Sequence, residues 1–257
     1  MKILKSLILI INIKSVIITV LSLIATYLCL HFGIMADLPQ TVIGIAVVFP
    51  IVFSIGSAYQ RRENALKDYS NLKAHSRSIY LAARDWFEDE NPEQLAAVKQ
   101  IILDLLISCR EFFTAERDEK EEKEIIVYKN YSKLSLFIKD LRIRGMQVGE
   151  LSRVNQYLSK MLEAFENLKH VSQYRTPITL RAYSRFFITL TPILYAPYFA
   201  FIGKNISLEL TMITPLLMSV VLVGLDNIQD HLENPFDQIG EDDVKIHAEK
   251  LTQYLEL

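Results

Sequence analysis

Five histidines, two cysteines and three consecutive carboxylates are the side chains of this sequence best suited to hold a metal or carry a reaction. His31, His75, His170, His231 and His247 fall on separate predicted elements, and no two have the spacing of a metal-binding helix. Cys29 sits in an apolar run and Cys109 in a charged helical region, which reads as two free thiols and no disulfide framework. Glu241, Asp242 and Asp243 offer hard oxygen donors, but read first as the solvated start of a helix. No glycine-rich phosphate loop, paired-cysteine site or nucleophile elbow is present. Without a convergent acid, base and nucleophile, the expectation is a protein that is not an enzyme. Arg61 and Arg62 are suited to attracting anions or to anchoring a helix at a membrane surface.

The elements that carry these residues are apolar spans joined to a charged helical part. The 257 residues are 51% apolar and 23% charged, a mixture that suits neither a purely soluble domain nor a bare bundle of spans. A net charge of −2 with no concentrated basic patch argues against a nucleic-acid partner. Ser15 to Phe32 reads as a first membrane helix, left uncleaved because Lys14 interrupts the preceding apolar run. Leu38 to Tyr59 carries no charge and is long enough to cross a hydrocarbon core of about 30 Å. Within it Ile45, Phe49 and Phe53 recur at every fourth position and so share one side of a helix, with Pro50 between them. Residue types alone make that stripe an ordinary lipid or helix contact. Phe186 to Gly203, with Pro192 and Pro197, reads as a kinked third span, and Leu210 to Leu225 as a fourth.

Between the second and third spans the pattern is helical and charged. Ala58 to Phe87 runs without Gly or Pro; Asn91 before Pro92 is an N-cap signal. Pro92 to Phe113, Ile125 to Ile143 and Val148 to Val171 repeat apolar residues at helical spacing, and Gly145 ends the second of these. Val244 to Leu257 reads as a short amphipathic helix. Frequent Lys and Arg from Arg61 to Arg185 put this part in the cytosol by the positive-inside rule, so both termini are cytosolic as well.

Three stretches resemble one known family. Gly44-Ile45-Ala46, Phe53, Ala58-Tyr59, Arg61, Lys67, Tyr69 and Ser76-Arg77-Ser78 are similar to the second transmembrane helix and following cytosolic segment of the bestrophin channels, with Arg62 and Glu63 where that family carries tryptophans. Thr176-Pro177-Ile178 resembles the turn before the third membrane helix in bacterial and plant bestrophins. Gly224, Leu232, Asn234, Pro235 and Phe236 resemble the signature with which bestrophins leave the membrane.

The resemblance implies an all-α membrane protein of four transmembrane helices with a helical cytosolic domain. Residues 1–57 would hold the N-terminal segment and first two spans, 58–183 the cytosolic helices, 184–226 the last two spans and 227–257 a cytosolic C-terminal segment. It further implies a homopentamer in the inner membrane whose partners are the lipid bilayer and inorganic ions. Ile45, Phe49 and Phe53 would then form the pore neck, and Asn234, Pro235 and Phe236 the family signature. Glu241, Asp242 and Asp243 stand near the place of the acidic turn that clasps calcium in animal members, which makes calcium the one candidate cofactor. Passive chloride conduction is the leading expectation. A monovalent-cation-selective channel of the same fold and a non-conducting membrane scaffold or sensor are the alternatives.

Overall fold

The computed structural model describes residues 12–87, 91–174, 177–236, 243–253 and 255. These contain nine helices and no strand. In chain order they are α1 (Ile13–Phe32), α2 (Gln40–Asp85), α3 (Pro92–Thr114), α4 (Lys120–Ile143), α5 (Val148–Gln173), α6 (Ile178–Leu194), α7 (Ala196–Gly203), α8 (Leu208–Glu233) and α9 (Ala248–Gln253). The chain divides into two compact units, Met1–Gln60 with Arg175–Glu233, and Arg61–Tyr174 with Asn234–Leu257. Helix α2 supplies residues to both.

In the first unit α1 packs against α6, α7 and α8. Its small core joins Ile18 of α1, Val47 and Ile51 of α2, Ile188 of α6, and Leu222 and Val223 of α8. Three stretches among the described residues are long and apolar enough to cross a membrane: α1, Ile178–Gly203 and α8. The expected second span, at the front of α2, is not among these three.

Prolines shape this unit unequally. Pro50, Pro192 and Pro215 stay inside helices, whereas the α6–α7 stretch breaks at Tyr195, two residues before Pro197. Pro197 has no N–H to offer the carbonyl of Ile193, so the turn ends there. Nearby carbonyls find other donors: Ser22 Oγ of α1 donates to the Pro192 carbonyl at 2.7 Å, and the Ala36 N–H donates to that of Pro197 at 3.2 Å. Where α7 turns into α8, Gly203 lies so close to Thr211 that a Cβ there would meet the threonine side chain at 2.1 Å. Only glycine permits that approach.

The second unit has a conventional buried core. Asn91 caps α3, its side chain accepting from the Gln94 N–H at 3.1 Å, with Pro92 in the first turn. Gly145, at φ 97°, closes α4 in the left-handed region that a Cβ disfavours. Helix α3 packs on α4, α5 and α9, and α4 on α5. Their apolar faces meet around Phe112, Phe113 and Phe165, with ring centroids of Phe112 and Phe165 5.7 Å apart and edge-on. Each such ring contributes roughly 1.5–3 kcal/mol through burial.

Several expected boundaries move, and the third span begins at Ile178 where Phe186 was expected. Helix α8 runs on past Leu225 to Glu233, through charged residues that find partners in the fold. The expected tail helix is only Ala248–Gln253. Before it, Val244, Ile246 and Ala248 are buried while Lys245 and His247 are exposed, an alternation of period two that suits extended chain.

Candidate functional site

The residues singled out on α2 stand on the face that this chain leaves uncovered. Ile45 is 63% exposed, Phe49 61% and Phe53 57%, whereas Val47, Ile51 and Ser54 are buried. Helical geometry explains the split. Buried positions recur three and four residues apart (47, 51, 54, 58, then 65, 69, 72, 76 and 79), so the intervening positions 45, 48, 49, 52 and 53 turn the other way. Phe49 and Phe53, one turn apart, meet edge to face with centroids at 4.7 Å. Val48 and Val52 widen the exposed strip and are no less apolar. The strip carries no hydrogen-bonding side chain and no charge, so it can exclude water or take up apolar contact but cannot coordinate an ion.

A second arrangement in the same unit brings together charges that sequence reading left apart. Asp226, Asp230 and Glu233 lie four and three residues apart and share a face of α8. Lys14 of α1 pairs with the buried Asp226, whose second cation, Arg185 of α6, lies at 3.8 Å. Arg185 also donates to both carboxylate oxygens of Asp230 at 2.6 and 2.8 Å, and Arg181 pairs with the buried Glu233 at 2.8 Å. Beside these, Asn12 accepts from the Ser15 N–H as the N-cap of α1 and donates through Nδ2 to Asn227 of α8 at 2.8 Å. Three cations and three carboxylates thus neutralise one another where the ends of α1, α6 and α8 meet. The four-residue spacing of Arg181 and Arg185 was the available signal for it.

The other sequence candidates occupy structural positions. Phe236 is 2% exposed and stacks on Phe113 at 4.5 Å, and the Val244 N–H donates to the Pro235 carbonyl at 2.7 Å, so Asn234-Pro235-Phe236 opens a segment anchored in the second unit's core. Arg61 Nη2 donates to the Val171 carbonyl at 2.6 Å, and Arg62 pairs with Glu63 at 2.8 Å. His31, His75 and His170 lie against Tyr27, Tyr157 and Tyr174 respectively. Both cysteines are free; Cys109 is fully buried, and burial pushes its thiol far above the usual range, which makes it unreactive. Glu241 and Asp242 lie outside the described residues, and Asp243 comes just before the extended tail. Among the described residues no three His, Cys, Asp or Glu side chains converge as a metal site.

The ion pairs described in the second unit are exposed or part-buried. Burial works against the Lys169 ammonium, but hydrogen bonds to Glu166, Tyr128 and Glu124 outweigh it and hold the group well above the ordinary lysine value.

The sequence matches no known protein-family profile, nor does any characterised protein match it at sequence level. Its fold does match solved structures. A crystal structure of a bacterial bestrophin homologue from Klebsiella pneumoniae superposes with a TM-score of 0.77 at 15% identity, covering 95% of this chain and 96% of the other. A second crystal structure of that homologue gives a TM-score of 0.74 at 14% identity over 95% and 94% of the two chains. The chain therefore has the bestrophin fold over nearly its whole length.

Proposed function

We propose that the protein is an ion channel of the bestrophin type, a homopentamer in the inner membrane with both termini cytosolic. In this reading the front of α2 is a membrane span as well, the second of four in chain order, and five copies of it surround one pore. The observation that carries the proposal is the exposed strip of Ile45, Phe49 and Phe53 on a helix whose opposite seam is buried. Large apolar residues left uncovered by their own chain need lipid or other copies of the chain, and rings of them make a constriction that can gate by dewetting. The likeness of fold to bestrophin homologues over 95% of the chain supports the same reading. Lys14, Arg181 and Arg185 gather at the ends of α1 and α6, and basic residues at span ends favour the cytosolic side.

Passive conduction through such a neck calls for no catalytic group. Chloride is the proposed ion, and the alternative is a monovalent cation, since an uncharged neck selects for neither. Calcium at Glu241, Asp242 and Asp243 is proposed as a ligand of the tail, not of the pore.

Planar-bilayer recording of the purified protein under a chloride salt gradient is the test. Currents are expected, with a reversal potential whose sign reports anion or cation selectivity. Phe49→Ala and Phe53→Ala should each change conductance or gating. Unaltered currents in both variants would remove the neck assignment, and the absence of any current, with a detergent-solubilised mass of a monomer or dimer, would leave a non-conducting membrane scaffold.

A further inference from the structure

We propose that the hollow between the rear of α2 and the carboxy-terminal tail binds a phosphorylated small molecule carrying at least two negative charges. The cavity has a volume of about 420 Å³ and is lined by Tyr69, Ser70, Lys73 and Arg77 of α2 and by His247 and Lys250 of the tail, with Ala74 and Leu251 as its apolar wall. Among the described residues no carboxylate lines it.

The charge arrangement needs a reason. Some cations of the second unit have acidic partners: Arg110 holds Glu249 through two hydrogen bonds, Lys123 pairs with Glu111, Arg144 with Asp140, and Lys169 with Glu124 and Glu166. Lys73, Arg77 and Lys250 pair with no carboxylate among the described residues, although the whole chain is net acidic. Lys73 and Arg77 lie one turn apart on α2, where like charges repel. The Lys73 ammonium lies over the Tyr69 ring, 4.5 Å from its centroid. Lys250 adds a third cation from a distant part of the sequence. Three cations thus line one hollow, where an anion would be attracted to each of them.

The groups present select phosphate chemistry. A guanidinium fork and two ammonium groups are the usual donors to phosphoryl oxygens, and the Ser70 hydroxyl adds a neutral one. The volume falls within the roughly 300–1,000 Å³ of organic-ligand sites, so the phosphoryl groups would be carried on an organic body resting on Ala74 and Leu251.

Binding would also fasten the tail. The tail is held by the buried Val244, Ile246 and Leu251, by the His247 N–H donating to Tyr69 Oη at 2.9 Å, and by the exposed Arg110–Glu249 pair. An anion bridging Lys250 to Lys73 and Arg77 would add an attraction across the hollow. Occupancy and tail docking are therefore linked.

Titration of the full-length protein in detergent with inorganic pyrophosphate, at ionic strength matched with sodium chloride, tests the site. One saturable site per chain is expected, at least tenfold weaker in the K73Q/R77Q variant and in K250Q, with intermediate loss in R77K, which keeps the charge and loses the fork. Amide hydrogen exchange of residues 244–253 should slow on saturation in the parent protein and not in K73Q/R77Q. These side chains are not part of the buried core, and a melt of K73Q/R77Q no lower than the parent's shows that its fold is kept. Repeating the titration in nanodiscs with and without phosphatidic acid assigns the source: loss of the pyrophosphate signal with that lipid identifies a lipid headgroup as occupant, and its retention a soluble solute, both through the same cations. Absence of saturable binding in detergent, or equal affinity in parent and variants, overturns the proposal.

Discussion

The front and rear of α2 bury the same kind of seam and expose opposite kinds of face. From Val47 to Ala58 and from Ala65 to Ile79 the buried positions recur at three- and four-residue steps. Opposite the first stretch stand Ile45, Val48, Phe49, Val52 and Phe53; opposite the second stand Lys67, Ser70 and Arg77. The difference extends to the units that these stretches help to build. The second unit closes a large aromatic and aliphatic core and turns polar groups outward. The first has a core of a few side chains, buries ion pairs at its helix ends, and leaves large apolar residues on α1, α2, α6 and α8 uncovered. The second unit covers its own apolar faces, whereas the first leaves apolar surface of the kind that suits lipid.

The largest expected effect breaks the self-contained side of this comparison. Phe165 is fully buried and touches Phe112, Phe113, Tyr128 and Tyr131. Phe165→Ala should destabilise the second unit by roughly 3–5 kcal/mol, while Val52→Ala on the exposed strip of the first should stay within about 0.5 kcal/mol of the parent. Denaturant titration of the detergent-solubilised variants, followed by tyrosine fluorescence and hydrogen exchange, measures both. A large loss for Val52→Ala would mean that the strip is packed, and the contrast would fall.

The second effect concerns where ion pairs matter. Asp226 is 1% exposed and faces Lys14 and Arg185. Asp226→Asn keeps the shape and removes the charge, and should cost about 1.5–3 kcal/mol. The exposed Asp140–Arg144 pair, one turn apart on the second unit, should lose only about 0.3–0.5 kcal/mol on Asp140→Asn. Equal losses would remove the distinction between buried and surface ion pairs that separates the units.

A third and smaller effect tests a helix end that sequence and structure agree on. Asn91→Ala deletes the acceptor for the Gln94 N–H and should cost about 1 kcal/mol, read as faster exchange of the first-turn amides of α3.

That agreement is typical of the second unit and less so of the first. Helix α3 was legible because a cap, a proline and a helical apolar repeat point to one answer in Asn91, Pro92 and Leu95 to Cys109. The spans at Phe186 and Leu225 were cut short for a physical reason. A window without charge ends at Arg185 or Asp226, but the helices continue because those charges neutralise one another across α1, α6 and α8. Distant partners carry no local signal. The spacing of Ile45, Phe49 and Phe53 was visible in the sequence; their exposure follows from which face meets Ile18, Ile188 and Leu222, which it does not show. In the tail the small alternation Val244, Ile246, Ala248 outweighed the helical reading, and it brings His247 to Tyr69 and Lys250 to the hollow.

The smallest effect refines the account of the second unit as a soluble-type fold by asking how it responds to acid. His75 lies on α2 beside Tyr157, with ring centroids at 6.2 Å. Burial first, and then the charge of Lys160, lower its imidazole below the usual histidine value, while Glu163 opposes them. The folded state thus disfavours the proton that the unfolded chain accepts near pH ~6.5. Its contribution to stability is complete above that pH and is lost as the pH falls through it toward the lower folded value. His75→Gln removes the titration. Its melting temperature should therefore gain on the parent's between about pH 8 and pH 5.5. Melts at the two pH values measure this, and the sign of the change is the prediction: a variant that loses more than the parent on acidification would mean that Glu163 dominates Lys160 at this histidine, and that the second unit holds His75 as a paired cation instead of a neutral ring.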